Sequence, residues 1–61
     1  MNTIEPYVID FEDGNVGPCW SLDGAIEVAR EAGSAGRKAV RIRRATEVVL
    51  EGAPLRRELD R

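Results

Sequence analysis

Five basic residues crowd one short stretch, Arg37, Lys38, Arg41, Arg43 and Arg44, and three acids, Asp23, Glu27 and Glu31, stand at successive i, i+4 steps before it. These groups are the best placed in the chain to do chemistry, and the chemistry is recognition. Like charges four apart on a helix repel by about 0.2–0.5 kcal/mol per pair, and only Arg30 relieves them, so an acidic ridge of this kind suits contact with a basic partner. A solvated helix face is the plain alternative. Arginines alternating with apolar residues suit a protein interface, where Arg is enriched among the residues that carry binding energy. They also suit phosphates, and so a nucleic acid, or simply a solvated strand.

Support for catalysis is poor. The chain has no histidine and one cysteine, and it lacks a nucleophile elbow, a phosphate loop and metal-ligand spacing. Glu12 and Asp13 are adjacent carboxylates, but they fall at an expected hairpin tip in full contact with water. Cys19 has no cation beside it in sequence, the nearest base being Arg30, and reads as a structural thiol. The expectation is a protein that is not an enzyme and uses no cofactor or metal.

The element that must position the acids runs from Ser21 to Gly33. At 100° per residue Leu22, Ala25, Ile26, Ala29 and Ala32 share one arc, and Asp23, Glu27, Arg30 and Glu31 lie opposite. Ser21 suits the N-cap, and Gly33 suits the left-handed residue that closes a helix. Before it, Tyr7, Ile9 and Phe11 alternate with Val8 and Asp10 as a strand, and Asp13-Gly14 is the dipeptide favoured in two-residue hairpin turns. That turn sets Glu12 against Asn15, Phe11 against Val16, Ile9 against Pro18 and Tyr7 against Trp20. Tyr7, Ile9, Phe11, Val16, Pro18 and Trp20 then share the helix-facing side, while Val8, Asp10, Gly17 and Cys19 share the other. Pro18 cannot donate to a ladder and marks a sheet edge.

After the helix, Arg37 to Arg44 reads as a third strand, with Val40 and Ile42 toward the helix and Arg41 and Arg43 away from it. The second strand, the helix and the third strand then form a crossover around the first. Glu47 to Glu51 reads as a fourth strand on its β-branched content, after a three-residue Arg44-Ala45-Thr46 connection that sets Ile42 against Val48, Val40 against Leu50 and Arg43 against Glu47. A helix over Thr46 to Gly52 is the alternative. Pro54 can open a short helix over Leu55 to Arg61, frayed because about two turns do not stand alone in water. The expectation is a single α+β domain over residues 1–61, ββαββ, with a small antiparallel or mixed sheet of order 2-1-3-4, one helix on one face, a loose start at 1–5 and a frayed end at 53–61. The uncovered face would show Val8, Cys19 and Val49 beside Arg41 and Arg43.

Sixty-one residues lie near the size at which one hydrophobic core is only marginally stabilising. A lone cysteine cannot supply a disulfide and fits a reducing compartment, and no apolar run approaches a signal peptide or a membrane span, so the expected location is cytoplasmic with no membrane contact. The Met1 start reads as a complete short reading frame. The net charge of −2 conceals an asymmetry: seven acids and one base give −6 over residues 1–31, and eight bases and four acids give +4 over residues 32–61. Acidity, together with aromatics assigned to the helix side, disfavours nucleic acid.

A hairpin, a helix opened by Ser21-Leu22-Asp23 and followed by Ala25, and a strand reading Val40-Arg41-Ile42-Arg43 resemble short phage-encoded inhibitors of bacterial RNA polymerase. The resemblance covers residues 7–44, and the layout is also similar to that of small uncharacterised bacterial ββαβ domains. In the phage inhibitors a Thr/Ser-Leu-Asp opening begins an acidic helix, and two arginines on the next strand engage the polymerase. By that resemblance Arg41 and Arg43 are the anchors, and Asp23, Glu27 and Glu31 the acidic ridge. Gly24 stands where the family favours an acid, and residues 45–61 have no counterpart. The expected function is a small regulatory or accessory protein, phage-like, that binds a larger protein such as the transcription machinery through Arg41, Arg43, Arg44, Asp23, Glu27 and Glu31. A nucleic-acid binder using residues 37–44 and a structural homo-oligomer, in its simplest form a homodimer, are the alternatives.

Overall fold

Alternating apolar residues in Tyr7–Phe11 and Ala39–Arg44 make two strands that meet at the centre of a four-stranded sheet. The computed structural model describes residues 5–61, so most of the expected loose start lies outside the described residues. The elements are β1 (Tyr7–Phe11), β2 (Gly14–Cys19), α1 (Leu22–Ser34), β3 (Ala39–Arg44), β4 (Glu47–Glu51) and α2 (Gly52–Leu59). All neighbouring strands are antiparallel and the order is β2-β1-β3-β4, as the crossover argument requires. Residues 47–51 form a strand, which settles the choice against a helix there.

The core lies on one face of this sheet. Ile9 and Ile42 stand opposite each other, completely buried, in a cluster with Phe11, Ala25, Ile26, Ala29 and Leu55. Ala25, Ile26 and Ala29 come from the apolar arc of α1, and Leu22 and Ala32 pack at its margin. Ser21 caps the helix as its type implies, its Oγ accepting from the Gly24 amide at 3.0 Å. The helix runs past Gly33 to Ser34, however. Gly36, at φ +90°, supplies the left-handed residue, and the Arg37 amide donates to the Ala32 carbonyl at 2.9 Å.

One helix does not cover this face alone. Gly52, at φ +63°, turns the chain directly from β4 into α2, whose Leu55 is buried in the core and whose Leu59 packs against it. The Arg30 guanidinium donates to the Glu58 backbone carbonyl and ties the two helices together. Part of the segment expected to fray thus forms a helix over Gly52–Leu59, and packing of its apolar stripe, not intrinsic propensity, is what stabilises a helix this short.

Three register breaks shift side chains away from the simple alternation. The first hairpin turns over Glu12-Asp13, with Phe11 paired to Gly14 and Ile9 to Val16, rather than over Asp13-Gly14. Gly14 takes φ +145° after the turn, so the glycine serves the step out of the loop. Further along, β2 places both Gly17 and Pro18 opposite Val8, and this extra residue brings Cys19 opposite Tyr7 against the core instead of onto the open face. Trp20 falls beyond the strand and is 65% exposed rather than packed beneath the helix. Val40 is the extra residue of β3: Ala39 pairs with Phe11 and packs at the core, while Val40 is left 39% exposed. Val49 is the extra residue of β4, whose two-residue Ala45-Thr46 turn pairs Arg44 with Glu47, Arg43 with Val48 and Ile42 with Leu50.

Candidate functional site

The face of the sheet opposite the helices carries the arginines. Asp10, the outward residue of central strand β1, stands directly across from Arg41, with Arg43 two pairs further along opposite Val8. Both guanidinium Nε atoms donate to the same carboxylate oxygen, Asp10 Oδ2, Arg41 at 2.9 Å and Arg43 at 2.8 Å. Arg43 Nη1 also donates to the Ala45 carbonyl at 3.3 Å. The hydrogen bond and charge of Arg43, reinforced by those of Arg41, hold the Asp10 carboxyl below the ordinary carboxylate range against the opposing effect of burial. The same contact raises Arg43 above its usual value.

The carboxylate side chain is only 16% exposed, whereas Arg41 and Arg43 remain 43% and 34% exposed. One anchored anion therefore fixes two cations that still meet water, and the trio carries a net positive charge. Val8 and the exposed Val48 share this face by register, so the arginines have apolar neighbours. Val48 stands where Val49 was expected, and Cys19 lies on the core side instead of this face.

The remaining basic residues of the stretch are dispersed. Arg37 grips Asp13 through both Nε and Nη2, at 3.0–3.2 Å, and lies 4.3 Å from the Phe11 ring centroid. That contact lowers the Asp13 carboxyl. Arg44, on the opposite parity to Arg43, lies over the Tyr7 ring at 5.6 Å. The charge asymmetry of the sequence is thus partly cancelled in space, because Asp10 and Asp13 of the acidic half hold Arg37, Arg41 and Arg43 of the basic half.

Asp23, Glu27 and Glu31 are exposed on α1 as expected, but α1 covers the other face of the sheet. A shallow hollow beside Asp23 and Glu27 also receives Arg30, Glu58 and Arg61, so the chain just beyond α2 brings one further cation, Arg61, to the ridge. Arg61 pairs with Glu58 at 3.3 Å. The six expected contact residues therefore divide three ways: Arg41 and Arg43 together on the open face, Arg44 at its end on the helix side, and the acids on the far helix surface. Asp10, the residue that organises the arginines, was absent from the expected set. Its signal was a lone acid at an outward position of the strand placed beside the arginine strand.

A groove of about 750 Å³ separates α1 from α2, floored by Ala29, Ala39, Val40, Leu55 and Leu59. Glu12 and Glu51 stand with Arg37, Lys38 and Arg56 along its lining, and Arg37 is already paired with Asp13. Among the described residues no group of three or more His, Cys, Asp or Glu side chains is arranged to hold a metal ion, and no helix is long and apolar enough to cross a membrane. Comparison with protein-family models, with curated proteins and with solved structures gives no match.

Proposed function

We propose that the protein is a small non-enzymatic accessory or regulatory protein that docks on a larger protein through the uncovered face of its sheet. Arg41 and Arg43 are the anchors and meet acidic groups of the partner. The observation that carries this reading is the shared Asp10 carboxylate. It fixes two arginines on an open face before any partner arrives, which lowers the ordering cost that exposed arginines otherwise bring to binding. Val8 and Val48 supply apolar area around them. The acidic ridge lies on the other side and acts at long range, orienting the approach. The resemblance over residues 7–44 makes bacterial RNA polymerase the first partner to try.

The test is affinity capture from nuclease-treated bacterial lysate with tagged protein, comparing the wild type with Arg41→Gln/Arg43→Gln. Neutral replacements are the right probe, because reversal to glutamate would set three carboxylates together around Asp10. A stoichiometric protein recovered by the wild type and lost from a double variant that keeps its circular dichroism spectrum is the expected result. Recovery of nuclease-sensitive nucleic acid, or of the protein's own oligomer alone, overturns the reading.

A further inference from the structure

The apolar arc of α1 tapers toward its C-terminal end. Leu22, Ile26, Ala29 and Gly33 follow one another along the middle of that arc, and the last bears no side chain where a core residue is due. A methyl group placed on Gly33 would meet nothing within 4 Å outside its own helix. The strand beneath is small at the same end, where Ala39 packs at the core and the β3 bulge leaves Val40 39% exposed. The groove between α1 and α2 is thus space that the sequence leaves unfilled, about 750 Å³ over an apolar floor, which is the size of a small-molecule site.

The lining restricts what can fill it. On α1 it extends only from Ala29 to Gly33, about 6 Å, and on α2 from Gly52 to Leu59, about 10 Å. A partner helix is itself about 10 Å across and takes its anchors over two turns or more, so the α1 wall is too short to seat one. An extended peptide finds no free backbone, because β3 is paired on both sides. Charge narrows the choice further. With Arg37 held by Asp13, two acids, Glu12 and Glu51, and two bases, Lys38 and Arg56, remain, and none of the four makes an ion pair among the described residues. An anion over this floor meets two carboxylates, a cation meets two basic groups, and either gives up its water for little net attraction. An uncharged molecule avoids that cost and covers the exposed surface of Val40 and Leu59.

We propose that the groove binds a small, uncharged, apolar molecule, about the size of two or three fused rings. The site lies on the helix side of the sheet, away from Arg41 and Arg43, so this reading and the docking of a larger protein fail independently.

The test titrates the full chain, carrying ¹³C-labelled methyl groups, with 1-naphthylmethanol and with its charged relatives 1-naphthoate and 1-naphthylmethylammonium at constant ionic strength. The neutral probe should bind with a Kd of about 0.1–1 mM, shift the methyls of Val40, Leu55 and Leu59, and bind about tenfold more tightly than either ion. Gly33→Leu fills the space from the α1 side, and Val40→Asn makes the floor polar. Each should weaken the neutral probe about tenfold while keeping the circular dichroism spectrum, whereas Arg41→Gln/Arg43→Gln should leave its affinity unchanged. Absence of saturable binding at millimolar probe, equal or tighter binding of an ion, shifts centred outside the groove, or full affinity in a folded groove variant would each overturn the proposal. The comparison of the three probes and the map of shifted methyls need no variant.

Discussion

On the helix side of the sheet Ile9 and Ile42 face each other in full burial, whereas one residue along the same strands, on the open side, Asp10 faces Arg41 in partial contact with water. The two pairs share a backbone and differ in what they contribute. Apolar burial is non-directional and yields about 25 cal/mol per Å² removed from water, so the helix side supplies stability without demanding particular partners. A surface ion pair contributes about 0–1 kcal/mol, but it fixes the direction of each guanidinium. The fold rests on one face, and the other is free to carry recognition.

The comparison breaks most readily at the core. Ile42→Ala should cost about 3 kcal/mol, a large share of what a domain this small possesses, and urea denaturation should show the midpoint collapse. Asp10→Asn should cost less, about 1 kcal/mol, and less again at high salt, because the arginines are partly screened by water.

The same variant sharpens the comparison through pH. The Asp10 carboxyl titrates below its ordinary 3.8 in the folded protein, so its contribution is complete above that value and disappears as pH falls through the lower folded value. The stabilities of wild type and Asp10→Asn, measured between neutral pH and pH 2, should converge toward the acid end. Smallest is the effect at the β3–β4 turn. Ala45 sits at φ +55°, a region that costs an L-residue about 1 kcal/mol, so Ala45→Gly should raise thermal stability by a few tenths of a kcal/mol after glycine's entropic penalty. Scanning calorimetry would detect it, with both faces of the sheet unchanged.

Where a single period governed the chain, the sequence was enough. The α1 arc, its Ser21 cap, four strands and their order follow from 3.6- and 2-residue patterns with a crossover rule. The registers do not, because one extra residue at Gly17-Pro18, Val40 or Val49 reverses every inside-outside assignment beyond it. Trp20 and Cys19 were misplaced for that reason. The packing of α2 was hidden differently: its Leu55 acquires meaning only beside Ile9, Ala29 and Ile42, which no local pattern brings together. At the site, the outward parity of Arg41 and Arg43 was legible, but their anchor was not, since it required the β1–β3 register.

The placement of β1 has a consequence for how the protein folds. β1 is a central strand, and one of its flanks is completed only by residues 33 positions away, the separation of Asp10 from Arg43. Leu55 lies further still along the chain. The β1–β2 hairpin alone therefore leaves Ile9 and Phe11 uncovered, and the core closes only when β3 and α2 join it across a long loop. Formation of the fold is therefore limited by a long-range closure, and is slower than that of a helical chain of the same length.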